Sequence, residues 1–177
     1  VSTEVEEVTL KIASLIPPMT EILDVVKPKL AEEGIHLDVV VLSDNVQPNS
    51  ALAANEVDAN FFQHKPYMEE FNRNNGSELV PVQEIYFANY GVYAKNFNAI
   101  ADLPEGSVIA IANDVSNIDR SLALLAQNKV ITLQEKTGPY YTKADVINNP
   151  KNYKFEEVDL LMLARMYDDA DAVVMTP

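Results

Sequence analysis

The residues best suited to bind something lie in the run Asp58 to Tyr67, which reads DANFFQHKPY. Phe61, Phe62, His64 and Tyr67 together supply flat apolar walls and adjustable hydrogen-bonding groups, the usual lining of a small-molecule pocket. Val57 to Phe62 reads as a short strand, and Pro66 suits the first turn of a helix continuing through Tyr67 and Phe71. Gln63, His64 and Lys65 then fall where a strand hands over to a helix. Ligands of open α/β sheets collect at the carboxyl ends of strands. The competing reading is simple packing, with Phe61 and Phe62 in the core and His64 capping a backbone group.

A second constellation is the polar loop Asn113 to Arg120, NDVSNIDR. Ser116 followed by Asp119 imitates a capping box, with Asp in place of the usual Glu. That spacing puts Arg120 in the first helical turn, where the helix dipole disfavours a cation. An Arg in such a place can offer its fork to a carboxylate beside the N–H groups of the helix start. The competing reading is a surface Arg paired with Asp114 or Asp119.

Little else suggests catalysis. There are only two histidines, His36 and His64, and neither has a partner at metal-ligand spacing. The five glycines are scattered singly, so neither a nucleophile elbow nor a phosphate-cradling loop is present. Asp168, Asp169 and Asp171 lack the Gly and closing Glu of a calcium loop and read as a solvated helix end. With no cysteine there is no thiol nucleophile and no zinc–thiolate site. No cofactor is expected, and the chain does not read as an enzyme. The 177 residues carry a formal charge of −14, with 27 Asp and Glu against 13 Lys and Arg. Such a surface repels nucleic acid.

The elements that must position these residues alternate strand and helix. Val8 to Leu15 reads as a strand; a helix follows to about Glu33, with Ile22, Val25, Val26 and Leu30 as its apolar stripe. Pro28 is expected to kink or shorten it. Leu37 to Leu42 reads as a strand apolar on both faces, as in a covered parallel sheet. Asn49 is placed as the cap of a helix over Ser50 to Asn55. The helix from Lys65 to Arg73 closes at Asn75-Gly76. Leu79 to Val82 and Ile85 to Tyr93 read as extended. The pattern then restarts: a turn over Asp102 to Gly106, a strand at Val108 to Ile111, a helix at Ile118 to Asn128 and a strand at Val130 to Leu133. After an undefined stretch come Lys154 to Val158, a helix over Leu160 to Tyr167 and a strand at Ala172 to Met175. The fold class is therefore α/β, with an acidic lead-in over 1–7, a first lobe over 8–85, a crossover or hinge over 86–92 and a second lobe over 93–177.

Four segments together resemble one family: DANFFQHKPY, the VQPNSALAANEVDAN ahead of it, NDVSNIDR and NPKNYKFEEVD. From about Val8 to Val174 the chain resembles the NlpA-type lipoproteins, the substrate-binding components of methionine-importing ABC transporters. The resemblance implies a periplasmic-binding-protein fold of two doubly wound lobes with a hinge. It also implies a lipid anchor on a cysteine upstream of Val1, a place on the extracytoplasmic face of the cell envelope and an ABC permease as partner. The ligand implied is L-methionine or a related amino acid or dipeptide. Phe62, His64 and Tyr67 would surround the thioether, a role that suits a polarizable sulfur against aromatic walls. Arg120 would take the α-carboxylate, and Asn117 lies in the matching loop.

Three departures accompany the resemblance. Asn45 stands where the family commonly has Tyr, and Met175 where it commonly has Asn. The family also continues past the position of Pro177, so a return of chain to the first lobe is expected to be missing. The start, VSTEVEEVTL, has no basic segment leading into an apolar run, which puts any targeting segment upstream. Two rivals share the bilobal fold. A regulator's ligand-sensing domain would need a basic DNA-binding segment, and an enzyme would need acid–base partners for His64.

Overall fold

The computed structural model describes residues 7–177, so the acidic lead-in, apart from Glu7, lies outside the described residues. The chain forms two compact units, the first ending at Val82 and the second running Gln83–Pro177. Among the described residues no helix is long and apolar enough to cross a membrane.

The first unit is built on three parallel strands, β1 (Val8–Ser14), β2 (Ile35–Val41) and β3 (Ala59–Asn60), in the order β2-β1-β3. Helix α1 (Met19–Glu32) joins β1 to β2, and α2 (Gln47–Ala53) joins β2 to β3. Two expectations fail here. β2 is an edge strand with only Leu37 buried, and His36 and Asp38 are exposed, so it is not covered on both faces. Leu23, not Val25, is the buried residue of α1; Val25 is 62% exposed. Of the kink or shortening expected at Pro28, the shortening does not occur, since α1 runs on to Glu32. The carbonyl that Pro28 cannot satisfy belongs to Asp24, an exposed residue, so water can replace the lost bond.

Helix α3 (Lys65–Asn75) starts with Pro66 in its first turn and stops at Gly76, whose φ of 62° is the left-handed conformation that closes helices. The residues from Ser77 to Tyr90, read as largely extended, form no regular element, and the strand there is only β4 (Gly91–Tyr93).

The second unit repeats the logic of the first. Its sheet has the order β4-β9-β5-β8, with β5 (Val108–Ala112) parallel to β8 (Lys154–Val158) and to β9 (Ala172–Met175), and β4 antiparallel at the edge. Taken in chain order, β8-β5-β9 has the same first-strand-central arrangement as β2-β1-β3. β5 is covered on both faces. Ile109 and Ile111 pack with Leu122 and Leu125 of α4 (Val115–Gln127), and Ala110 and Ala112 pack with Leu163 of α5 (Leu163–Asp169). The undefined stretch contains a strand that the sequence reading missed. β7 (Val146–Asn148) pairs antiparallel with β6 (Thr132–Leu133).

Candidate ligand-binding residues

In the first unit the site residues follow β3. Its ladder extends beyond the two strand residues, since Asp58 and Phe61 donate backbone bonds to the Lys11 and Ala13 carbonyls. Ser14 Oγ, at the carboxyl end of β1, donates to the Phe61 carbonyl at 2.8 Å. The junction of β3 and α3 thus sits beside the end of the central strand, at the point where the chain winds to either side.

A half-buried amide network centred on the fully buried Asn49 fixes that junction. Asn49 is fully buried inside α2 and does not cap it. Val46 holds the cap position, and Asp44, two residues ahead of it, accepts from the Val46 and Gln47 N–H groups at 2.9 Å each. These bonds hold the Asp44 carboxyl below its ordinary range, the Gln47 N–H contributing most. Asn49 is thereby left to pair reciprocally with Gln63: Nδ2 donates to Gln63 Oε1 at 2.7 Å, and Gln63 Nε2 donates back to Asn49 Oδ1 at 2.6 Å. Asn60 Nδ2 donates to the same Asn49 oxygen at 2.9 Å and to the Pro48 carbonyl at 3.0 Å.

The three aromatic candidates come together. Phe62 meets Tyr67 edge-on, with ring centroids 5.8 Å apart and planes at 84°. His64 lies 6.5 Å from Tyr67. All three are half-buried. Phe61 and Phe62 are not fully buried core residues, and His64 makes no side-chain cap to α3. The Tyr67 hydroxyl is engaged with Asn45, donating to its carbonyl at 2.8 Å and accepting from its Nδ2 at 3.1 Å. Tyr67 therefore presents its ring to Phe62 and His64.

In the second unit α4 begins earlier than its sequence suggests. Asp114, not Ser116, is the cap: its side chain accepts from the Asn117 N–H at 3.0 Å, from Ser116 Oγ at 2.7 Å and from Asn117 Nδ2 at 2.9 Å. Asp119 turns away from the cap to accept from the Tyr141 N–H at 2.7 Å and to pair with Lys136 at 2.6 Å. Arg120 consequently lies in the second turn, three residues after Asn117 and on the same helical face. It makes no ion pair among the described residues, and both aspartates proposed as its partners are committed elsewhere. Its Cζ stands 4.1 Å over the ring of Tyr90. Burial pulls the guanidinium below its ordinary pKa, and proximity to Tyr90 opposes that shift.

Tyr90, Ser121 and Asn60 were not singled out from sequence, and Asn49 was singled out only as a helix cap. Tyr90 offered only its place in an aromatic-rich segment, and the others are common polar residues whose partners lie far along the chain. No group of His, Cys, Asp and Glu among the described residues could hold a metal ion.

A family model described as NlpA lipoprotein matches residues 10–177. The methionine-binding lipoprotein MetQ of Bacillus subtilis is 39% identical over 92% of this chain and 61% of its own length. The membrane lipoprotein TpN32 of Treponema pallidum is 32% identical over 98% of this chain and 65% of its own. A solved nutrient-binding protein from Burkholderia cenocepacia, bound to methionine, superposes with a TM-score of 0.89 at 37% identity. That match covers 94% of this chain and 70% of the other. The chain spans about half to two thirds of the length of the curated relatives it matches.

Proposed function

The chain belongs to the NlpA lipoprotein family, and from that premise we propose that it serves as an extracytoplasmic solute-binding lipoprotein. It captures methionine, or a related amino acid or short peptide, and delivers it to the permease of an ABC importer. A lipid anchor upstream of Val1 holds it to the membrane. In this reading Arg120 receives the α-carboxylate with Asn117 beside it on α4. Phe62, His64 and Tyr67 surround the thioether and its neighbours. The role is binding, with the ligand released chemically unchanged.

The observation that carries the reading is Arg120, a half-buried cation set over an aromatic face with no carboxylate partner among the described residues. Desolvating a cation without an anion is costly. A ligand carboxylate supplies the missing charge, and the rings of Phe62 and Tyr67 suit a thioether. Relatives named for binding methionine point to the same chemistry.

Calorimetric titration with L-methionine tests it. Removing one partner of a buried charge pair costs about 2–5 kcal/mol, so Arg120→Ala is expected to weaken binding by roughly 30-fold or more. His64→Ala is expected to cost less, because a neutral hydrogen bond contributes only about 0.5–1.5 kcal/mol net. Unchanged affinity in Arg120→Ala would place the carboxylate elsewhere. Mass spectrometry of the small molecule released on denaturation identifies the native ligand and shows whether it has been altered.

A further inference from the structure

We propose that Tyr90 is a positioning residue that holds the Arg120 guanidinium ready for an anionic group of the ligand, a role that rests on the carboxylate assignment above. Tyr90 is fixed to the helix that carries Arg120. Its hydroxyl lies 2.8 Å from Ser121 Oγ, and the Ser121 hydroxyl donates to the Asn117 carbonyl at 2.7 Å. Because the Ser121 proton is spent on that carbonyl, Tyr90 must be the donor to Ser121. Ser121 is fully buried, so the chain of bonds from Tyr90 through Ser121 to Asn117 is shielded from water. Tyr90 also packs against the core that contains Ile109, Ile111 and Leu122.

The ring therefore has a set place, and Arg120 stands over its face. A ring face attracts a cation through its quadrupole and consumes none of the guanidinium's N–H donors. A carboxylate in the same position would hold Arg120 equally well but would compete with an incoming anion. An aromatic platform orders a long, flexible side chain, offsets part of its desolvation and leaves its charge unneutralised. Asp114 and Asp119, the nearest acids in sequence, are removed from competition by the α4 cap and by Lys136. Tyr90 touches Arg120 rather than ligand in this arrangement, so it acts through the arginine.

The test uses the complete protein and the variants Tyr90→Leu and Tyr90→Phe, with two readouts. The first is the Arg120 Nε–Hε resonance in ligand-free protein, which feels the ring current of Tyr90. Tyr90→Leu is expected to shift it strongly, and Tyr90→Phe to keep it near its parent position. The second is affinity for L-methionine against methioninol, which lacks the carboxylate. Tyr90→Leu is expected to weaken methionine binding by roughly 2- to 30-fold, the span of a cation–ring contact. Methioninol binding is expected to change far less, and Tyr90→Phe to restore most of the loss. An Arg120 resonance indifferent to Tyr90→Leu overturns the proposal, and so does an equal loss for both ligands, which would make the ring ordinary packing. A parent protein that binds no methionine overturns the functional reading instead, and the resonance then decides the platform alone.

Discussion

Single residues decide which face of each candidate group meets a ligand. Tyr67 offers a ring and a hydroxyl by type, and the hydroxyl both donates to and accepts from Asn45, which is 6% exposed. Tyr67→Phe keeps the ring and leaves the buried Asn45 amide and carbonyl unmet. It should lower stability by about 1–3 kcal/mol in urea denaturation, while weakening methionine binding less than Arg120→Ala does. Full retention of stability would mean that water replaces the tyrosine. Asn49→Ala belongs to the same class. Asn60 keeps its bond to the Pro48 carbonyl, so the loss falls chiefly on the Gln63 amide, and a destabilisation of about 1–3 kcal/mol is expected. Asn45 thus has a structural role in this chain, whatever the corresponding residue does in relatives.

At the scale of elements, helix starts control where the candidate residues point. Ser116, Asp119 and Asp114 are all plausible caps by type, and the sequence reading chose the first pair. Asp114 prevails because Asp119 is drawn off by Lys136 and by the Tyr141 N–H, contacts that exist only once the chain has folded. Moving the cap moves Arg120 from the first turn to the second, away from the strongest unfavourable dipole. Asp114→Ala is expected to cost about 0.5–2 kcal/mol of stability, the usual worth of such a cap, read as a lower denaturation midpoint. It should also weaken methionine binding, since α4 carries both Asn117 and Arg120. Asp44 makes a pH-dependent counterpart at α2. Its folded pKa is depressed, chiefly by the Gln47 N–H. Its contribution is therefore present above the ordinary aspartate range and lost as pH falls through the lower folded value. Asp44→Asn should flatten the acid limb of stability against pH below that range and leave its slope near neutrality unchanged.

For the whole molecule, charge and linkage set the expectations. A formal charge of −14 predicts no retention on a DNA column at neutral pH and low salt. A ligand that binds only the folded chain stabilises it by mass action, by about 2.7 kcal/mol at a hundredfold excess over Kd. Methionine should therefore raise the melting temperature of the parent in a concentration-dependent way, and the same concentrations should do much less for Arg120→Ala. Equal shifts in the two proteins would show binding that bypasses the guanidinium.

The sequence by itself determined the alternation of strand and helix, the restart after Gly106 and the two strand-to-helix junctions where the candidate residues cluster. These are local signals: apolar runs, prolines at helix starts and Gly76 at a helix end act over a few residues. The aromatic trio was legible for the same reason, because Phe62, His64 and Tyr67 fall within one such junction. Tertiary structure alone decided that β2 is an edge strand, that Val146 to Asn148 pairs with β6, that Asn49 serves Gln63 rather than a helix cap, and that Tyr90 lies beneath Arg120. Each of those outcomes turns on which distant group reaches a side chain or backbone first. A polar residue carries the same donors and acceptors wherever it stands, and only the folded chain selects the partner that uses them.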